Sequence, residues 1–158
     1  MTRRMSMACC LVVLPVLGLS AAPVLAAAPA SSSGSGTYTF IPDGPPRFAG
    51  GNVIVDATLK GTIVGTLSGT WAEQAVETIH PDGSATTHAS GVFTVLTSCG
   101  AGSFPFELEA QQPSATASLS GRFRSIDASD ATLGIHTVDV FTTSPNSGVF
   151  SYAGSYSC

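Results

Sequence analysis

Charge is scarce in this chain, and positive charge is scarcest. Charged residues fill 10% of 158 positions, with six Lys and Arg against ten Asp and Glu. Arg3 and Arg4 fall in the first 30 residues, which hold no acid, so the remainder carries four bases against ten acids, a net charge of −6. With so little to neutralise phosphate, no nucleic-acid partner is expected. Helical signals are also missing: nothing beyond residue 30 keeps helical periodicity over three turns, and 17 Gly recur too often for long helices. C-x-x-C, H-x-x-x-H, H-E-x-x-H and G-x-S-x-G are absent, as are P-loop and dinucleotide fingerprints. No metal and no cofactor is therefore expected. Hydrophobic residues at 44% are enough to bury a core, which excludes a disordered chain.

The first 30 residues read as a secretory signal. Arg3 and Arg4 make a basic start, Ala8 to Leu25 is apolar apart from Ser20, and small residues follow. Cleavage after Ala26 or Ala30 meets the requirement for small side chains at the last and third-last positions. Pro15, Pro23 and the alanine-rich end favour removal over a retained membrane anchor, so a secreted or periplasmic product free of the membrane is expected. Thr2-Arg3-Arg4 resembles the start of a twin-arginine signal, but Ser6 and Met7 stand where strongly apolar residues belong. Cys9 and Cys10 leave with the signal. The two survivors, Cys99 and Cys158, are bound for an oxidising space, where an even count favours a disulfide.

Residues 31–36, all Ser and Gly, read as a flexible leader with nothing to bury, and residues 37–158 as one domain. Its punctuation is that of an all-β protein: short Thr, Val and Phe runs between Gly, Pro, Asn and Asp. The runs are Thr37 to Ile41, Val53 to Lys60, Thr62 to Trp71, Glu73 to His80, Ser84 to Val95, Ser103 to Glu109, Thr116 to Ser125, Ile135 to Thr142 and Val149 to Ser157. Eight or nine strands on consecutive turns suit an antiparallel barrel of about eight strands, with a two-sheet sandwich as the alternative. The turn His80-Pro81-Asp82-Gly83-Ser84 implies a hairpin with Ile79 opposite Ala85, Glu77 opposite Thr87 and Val76 opposite His88. Phe104, Phe106 and Leu108 alternate with Glu107 and Glu109, giving one apolar and one wet face. Pro105 lacks a ladder donor and implies an edge or a bulge there. Gly61, Gly65 and Gly69 read either as bends within a long strand or as turns between short ones.

This order of elements resembles a bacterial family of small domains of unknown function with an allene-oxide-cyclase-like barrel, related in shape to lipocalins. The matching pieces are Gly61-Thr62, Gly65-Thr66 and Gly69-Thr70, the strand ending in His80 to Ser84, the strand to Val95, and the entry Gly102-Ser103-Phe104. Ser120-Gly121 and a Gly-aromatic C-terminal strand complete it. An export signal, two cysteines and the stretch Arg124 to Asp130 depart from the pattern. The resemblance implies a barrel; it implies no established function.

Two functional classes follow. The first is an exported module that binds a small apolar ligand, with Trp71, Phe104, Phe106 and Tyr152 as candidate lining residues. The second is a cyclase or isomerase type of enzyme, with Glu77, His88 and Asp139 as its polar candidates. Asp139 shares a strand parity with Ile135 and Phe141, which places it inside, and His88 is an inward candidate on the parity of Val76 and Thr78. His80 flanks a turn, and Asp127 and Asp130 lie in a solvated loop. What fills the barrel discriminates the two, and the binding class is favoured because no catalytic constellation is visible. No oligomeric state is assigned.

Overall fold

The computed structural model describes residues 28–143 and 147–158. The export signal read over residues 1–30 lies, up to residue 27, outside them. The described residues hold nine strands and no helix: β1 (Ala30–Pro42), β2 (Arg47–Ala49), β3 (Asn52–Gly65), β4 (Ser68–Ile79), β5 (Ala85–Thr97), β6 (Gly100–Gln112), β7 (Leu119–Ser125), β8 (His136–Thr143) and β9 (Val149–Ser157). Each of β3 to β9 pairs antiparallel with the next, and β1 pairs with both β9 and β3. These eight strands close a barrel, so the sandwich alternative falls. β2 is an extra short strand hydrogen-bonded only to the start of β3. Closure leaves no long strand edge to recruit another chain.

Local turn chemistry sets the central hairpin. Gly83 takes φ +82°, and Asp82 Oδ1 accepts hydrogen bonds from the Ser84 backbone N–H at 2.9 Å and from its hydroxyl at 2.7 Å. The His80 N–H then donates to the Ser84 carbonyl at 2.8 Å, and β4 and β5 run in the expected register, Glu77 opposite Thr87 and Val76 opposite His88.

The first correction concerns the glycine-spaced run. Thr62 to Trp71 is not one strand: β3 continues through Lys60 to Gly65, which turns at φ +121°, and β4 starts at Ser68. Gly61, by contrast, lies within β3, where a Cβ would stand 1.7 Å from the Thr37 carbonyl oxygen. The glycines thus split between the two roles, one turning the chain and one permitting a close approach of β1.

The second correction concerns residues 31–36. They are not a leader but the first half of β1, with Gly34 opposite Tyr152 and Gly65, and Gly36 opposite Phe150 and Ile63. Small side chains are needed here because aromatic rings from β9 lie across the strand. A Cβ on Gly34 would meet the Tyr152 hydroxyl at 2.6 Å and the Val64 carbonyl at 2.0 Å, and one on Gly36 would meet the Phe150 ring at 2.3 Å.

The third correction concerns Pro105. Its strand, β6, is no edge, since it pairs with β5 and β7. The Pro105 carbonyl accepts from Ile126 N–H at 3.0 Å, one residue past the end of β7. In a strand the nitrogen and carbonyl of one residue face the same neighbour, so the missing donor falls where β7 has already stopped.

Inside, the barrel is packed at one end and open at the other. Phe93 is the hub of the packed end, with ring centroids 4.3 Å from Phe106, 5.3 Å from Phe104 and 5.4 Å from Phe123. The connection between β7 and β8 folds back over that end, inserting Leu133 and Ile135 into the core while Thr132 and Ser103 hydrogen-bond to each other. At the same end the Cys99 and Cys158 sulfurs are bonded, with Cα atoms 5.5 Å apart, tying the β5–β6 turn to the end of β9.

Candidate functional site

The open end leads to a cavity. A vestibule of about 550 Å³ at the mouth, lined by residues including Phe40, Ala75, Glu77, Ile79, Ala85 and Gln112, narrows to an inner cavity of about 70 Å³. Tyr38, Leu59, Thr87, Leu119 and Thr143 line both, so the two spaces are continuous. Trp71, Glu73, Phe93, Phe106, Leu108, Phe123, Phe141 and Phe150 complete the inner lining. The alternation of strand side chains brings these residues inward from all eight barrel strands, and the aromatic hub below them is the floor.

The inner wall is mainly apolar, with Tyr38, Thr87 and Thr143 as its hydroxyl-bearing residues, and two of its residues carry a buried polar atom without a partner. Trp71 Nε1 and Glu73 Oε2 are both buried without a protein hydrogen-bond partner. The two residues are 8% and 5% exposed. They lie two positions apart on β4, which puts them on one face. Glu73 stands between Leu59 of β3 and Gly91 of β5. A Cβ on Gly91 would come within 2.7 Å of the Glu73 Cβ, so the missing side chain there gives the acid its space. Burial pushes the Glu73 carboxyl up to about 8, which leaves it largely protonated at neutral pH. A neutral carboxyl can both donate and accept, while the indole N–H only donates.

The four expected lining residues divide. Trp71 and Phe106 line the inner cavity. Phe104 and Tyr152 belong to the packed end, where Tyr152 accepts a hydrogen bond from the Leu67 N–H at 2.9 Å.

The three polar candidates do not converge. Glu77 is half-buried in the vestibule wall, and burial raises its carboxyl above the ordinary value. Asp139 is fully buried near the packed end, where the Ser32 hydroxyl donates to Oδ1 and the Thr137 hydroxyl contacts Oδ2. Desolvation raises its carboxyl while those two hydrogen bonds oppose the rise. Its space comes from Gly154 on β9, where a Cβ would meet Asp139 Oδ1 at 2.7 Å. His88 is corrected outright: it is exposed on the outer surface, as is Val76, the 42% exposed residue opposite it. The parity it shares with Val76 is that of the wet face.

The remaining titratable residues serve the surface. His80 Nδ1 lies 3.3 Å from Asn52 Oδ1 beside the turn, and Asp127 lies 3.6 Å from His136 in the exposed loop. Arg124 pairs with Glu107 at 2.9 Å and Arg122 with Glu109 at 3.9 Å on the outer face. Among the described residues no group of three or more His, Cys, Asp and Glu is placed to hold a metal ion.

Sequence reading missed Glu73. The signal was available in the parity it shares with Trp71 and Ala75, but a strand break placed between Trp71 and Glu73 severed that parity.

No family model matches the chain, and no curated protein matches it. Among solved structures it is similar to a protein of unknown function from the DUF3224 family of Shewanella oneidensis MR-1, with a TM-score of 0.63 at 17% identity over 82% of this chain and 96% of that one. At that identity the likeness shows the fold alone: a closed antiparallel barrel of eight strands, shared with a protein whose own function is unknown.

Proposed function

We propose that this protein is an exported binding module whose barrel receives a small, mainly apolar ligand through its open end. The observation that carries the reading is the continuous funnel, mainly apolar along its walls, whose inner lining includes two residues with unpartnered buried polar atoms, Trp71 Nε1 and Glu73 Oε2. Pockets that bind small molecules combine such walls with a few placed polar groups. A cavity of about 70 Å³ takes only part of a ligand, so the occupant extends into the vestibule.

Trp71 is the one tryptophan of the chain and lines the inner cavity, so its fluorescence has a single source at the site. Titration of oxidised, folded protein with a panel of hydrophobic ligands is expected to shift its emission saturably. No change across the panel would assign the barrel a purely structural role.

Export is part of the same proposal. Cleavage after Ala26 or Ala30 leaves Ser32, whose hydroxyl bonds the buried Asp139, in the mature chain. Intact mass of the exported product is expected to place its start at Ala27 or Ser31. A product retaining Arg3 and Arg4 would overturn export by cleavage.

A further inference from the structure

The inner wall restricts the chemistry of what it can receive. Among the residues lining the inner cavity and the vestibule there is no Lys, Arg or His, while Glu73 and Glu77 both face inward. An anion would enter an apolar space with two acids and no counter-charge. An ammonium group has donors only, and would leave the Trp71 N–H unpaired. A pure hydrocarbon would leave Trp71 Nε1 and Glu73 Oε2 both unpaired. An uncharged oxygen accepts from the indole N–H and exchanges a hydrogen bond with the carboxyl, removing two buried orphans at once.

Resting on the ligand-binding reading above, we propose that the occupant is a neutral amphiphile that enters oxygen first, an alcohol or ketone oxygen meeting Trp71 Nε1 and Glu73 Oε2 while its hydrocarbon body lies in the vestibule. The vestibule suits that body, because Phe40, Leu59, Ala75, Ile79 and Leu119 form much of its wall. Selectivity for the ketone rests on a protonated Glu73, since a carboxylate has no hydrogen to donate. The groups flanking Glu73 across the sheet, Leu59 on β3 and Gly91 on β5, do not titrate. Tyr38 on β1 and Glu77 on β4 are the other titratable groups along the funnel, and β6 to β9 contribute none to its lining.

The test measures calorimetric binding of cyclohexane, cyclohexanol, cyclohexanone, cyclohexanecarboxylate and cyclohexylamine to the oxidised mature protein. The alcohol and ketone are expected to bind about tenfold or more tightly than cyclohexane, the equivalent of roughly one hydrogen bond, and more tightly than either charged probe. Glu73→Leu is expected to remove that preference. Glu73→Gln keeps hydrogen-bonding capacity in nearly the same shape and covers the case of a leucine variant that does not fold. Wild type is expected to lose ketone binding as pH rises through about 8, whereas the glutamine variant holds it. Equal binding of cyclohexane and cyclohexanol, tightest binding of a charged probe, selectivity unchanged by Glu73→Leu, or identical pH profiles for wild type and Glu73→Gln each overturn the proposal while the apolar-ligand reading stands. Binding of no probe overturns both.

Discussion

The Leu67 backbone N–H donates a 2.9 Å hydrogen bond to the hydroxyl of Tyr152, 85 residues away in sequence and buried with it at the packed end. Leu67 sits in the turn between β3 and β4, where no strand partner serves its backbone. One phenol therefore satisfies a turn and, through its ring, packs 6.0 Å from the Phe123 centroid. Tyr152→Phe keeps the ring and strands a buried N–H, so it is expected to cost about 1–3 kcal/mol. A urea denaturation midpoint indistinguishable from wild type would contradict this role.

β1 offers a sharper comparison. Gly34→Ala drives a methyl group onto the Val64 carbonyl and the Tyr152 hydroxyl and is expected to destabilise by about 1–3 kcal/mol. Ser35→Ala, one residue on and facing solvent, is expected to change stability by less than about 0.5 kcal/mol. If both variants melt like wild type, residues 31–36 do not close the barrel.

Stability is expected to fall as pH rises from about 4.5 to about 8. Between the ordinary Glu value of 4.5 and the folded value near 8, the folded protein holds a proton on Glu73 that the unfolded chain has released. The unfolded state binds fewer protons there, so the slope is negative, roughly 1.4 kcal/mol per pH unit where Glu73 alone titrates. Glu77 and Asp139, also raised by burial, add in the same direction, whereas Asp82, lowered by its bonds to Ser84 in the turn, acts below its ordinary value of 3.8 and so outside this window. Glu73→Gln is expected to flatten the profile in that window. A wild-type stability that rises steadily over the same range would exclude a buried neutral Glu73.

The Cys99–Cys158 bond closes a long loop, a sequence separation of 59. Reduction is expected to add about 2 Da to the intact mass and to lower stability by roughly 2–4 kcal/mol, chiefly by freeing the unfolded chain. Two alkylatable thiols in material never exposed to reductant would rule the bond out.

Sequence alone determined whatever rests on local chemistry. The turn from His80 to Ser84 sets the β4–β5 register through Pro81, Asp82 and Gly83, all within five residues. The alternation of Phe104, Phe106 and Leu108 with Glu107 and Glu109 set the faces of β6, because strand side chains alternate whatever the neighbours are. The count of two cysteines beyond residue 30 paired Cys99 with Cys158. Tertiary structure alone decided the role of residues 31–36. Nothing within that run favours a strand, and its order comes from pairing with β3 and from Tyr152 and Phe150, more than 100 residues away. It also decided which face of the β4–β5 hairpin looks inward. Trp71 and Glu73 turn into the cavity while Val76 and His88 turn out, a choice made by closure of the barrel around the aromatic hub. The parity Glu73 shares with Trp71 and Ala75 marks a common face, but that this face is buried is decided by strands that meet only when the barrel shuts.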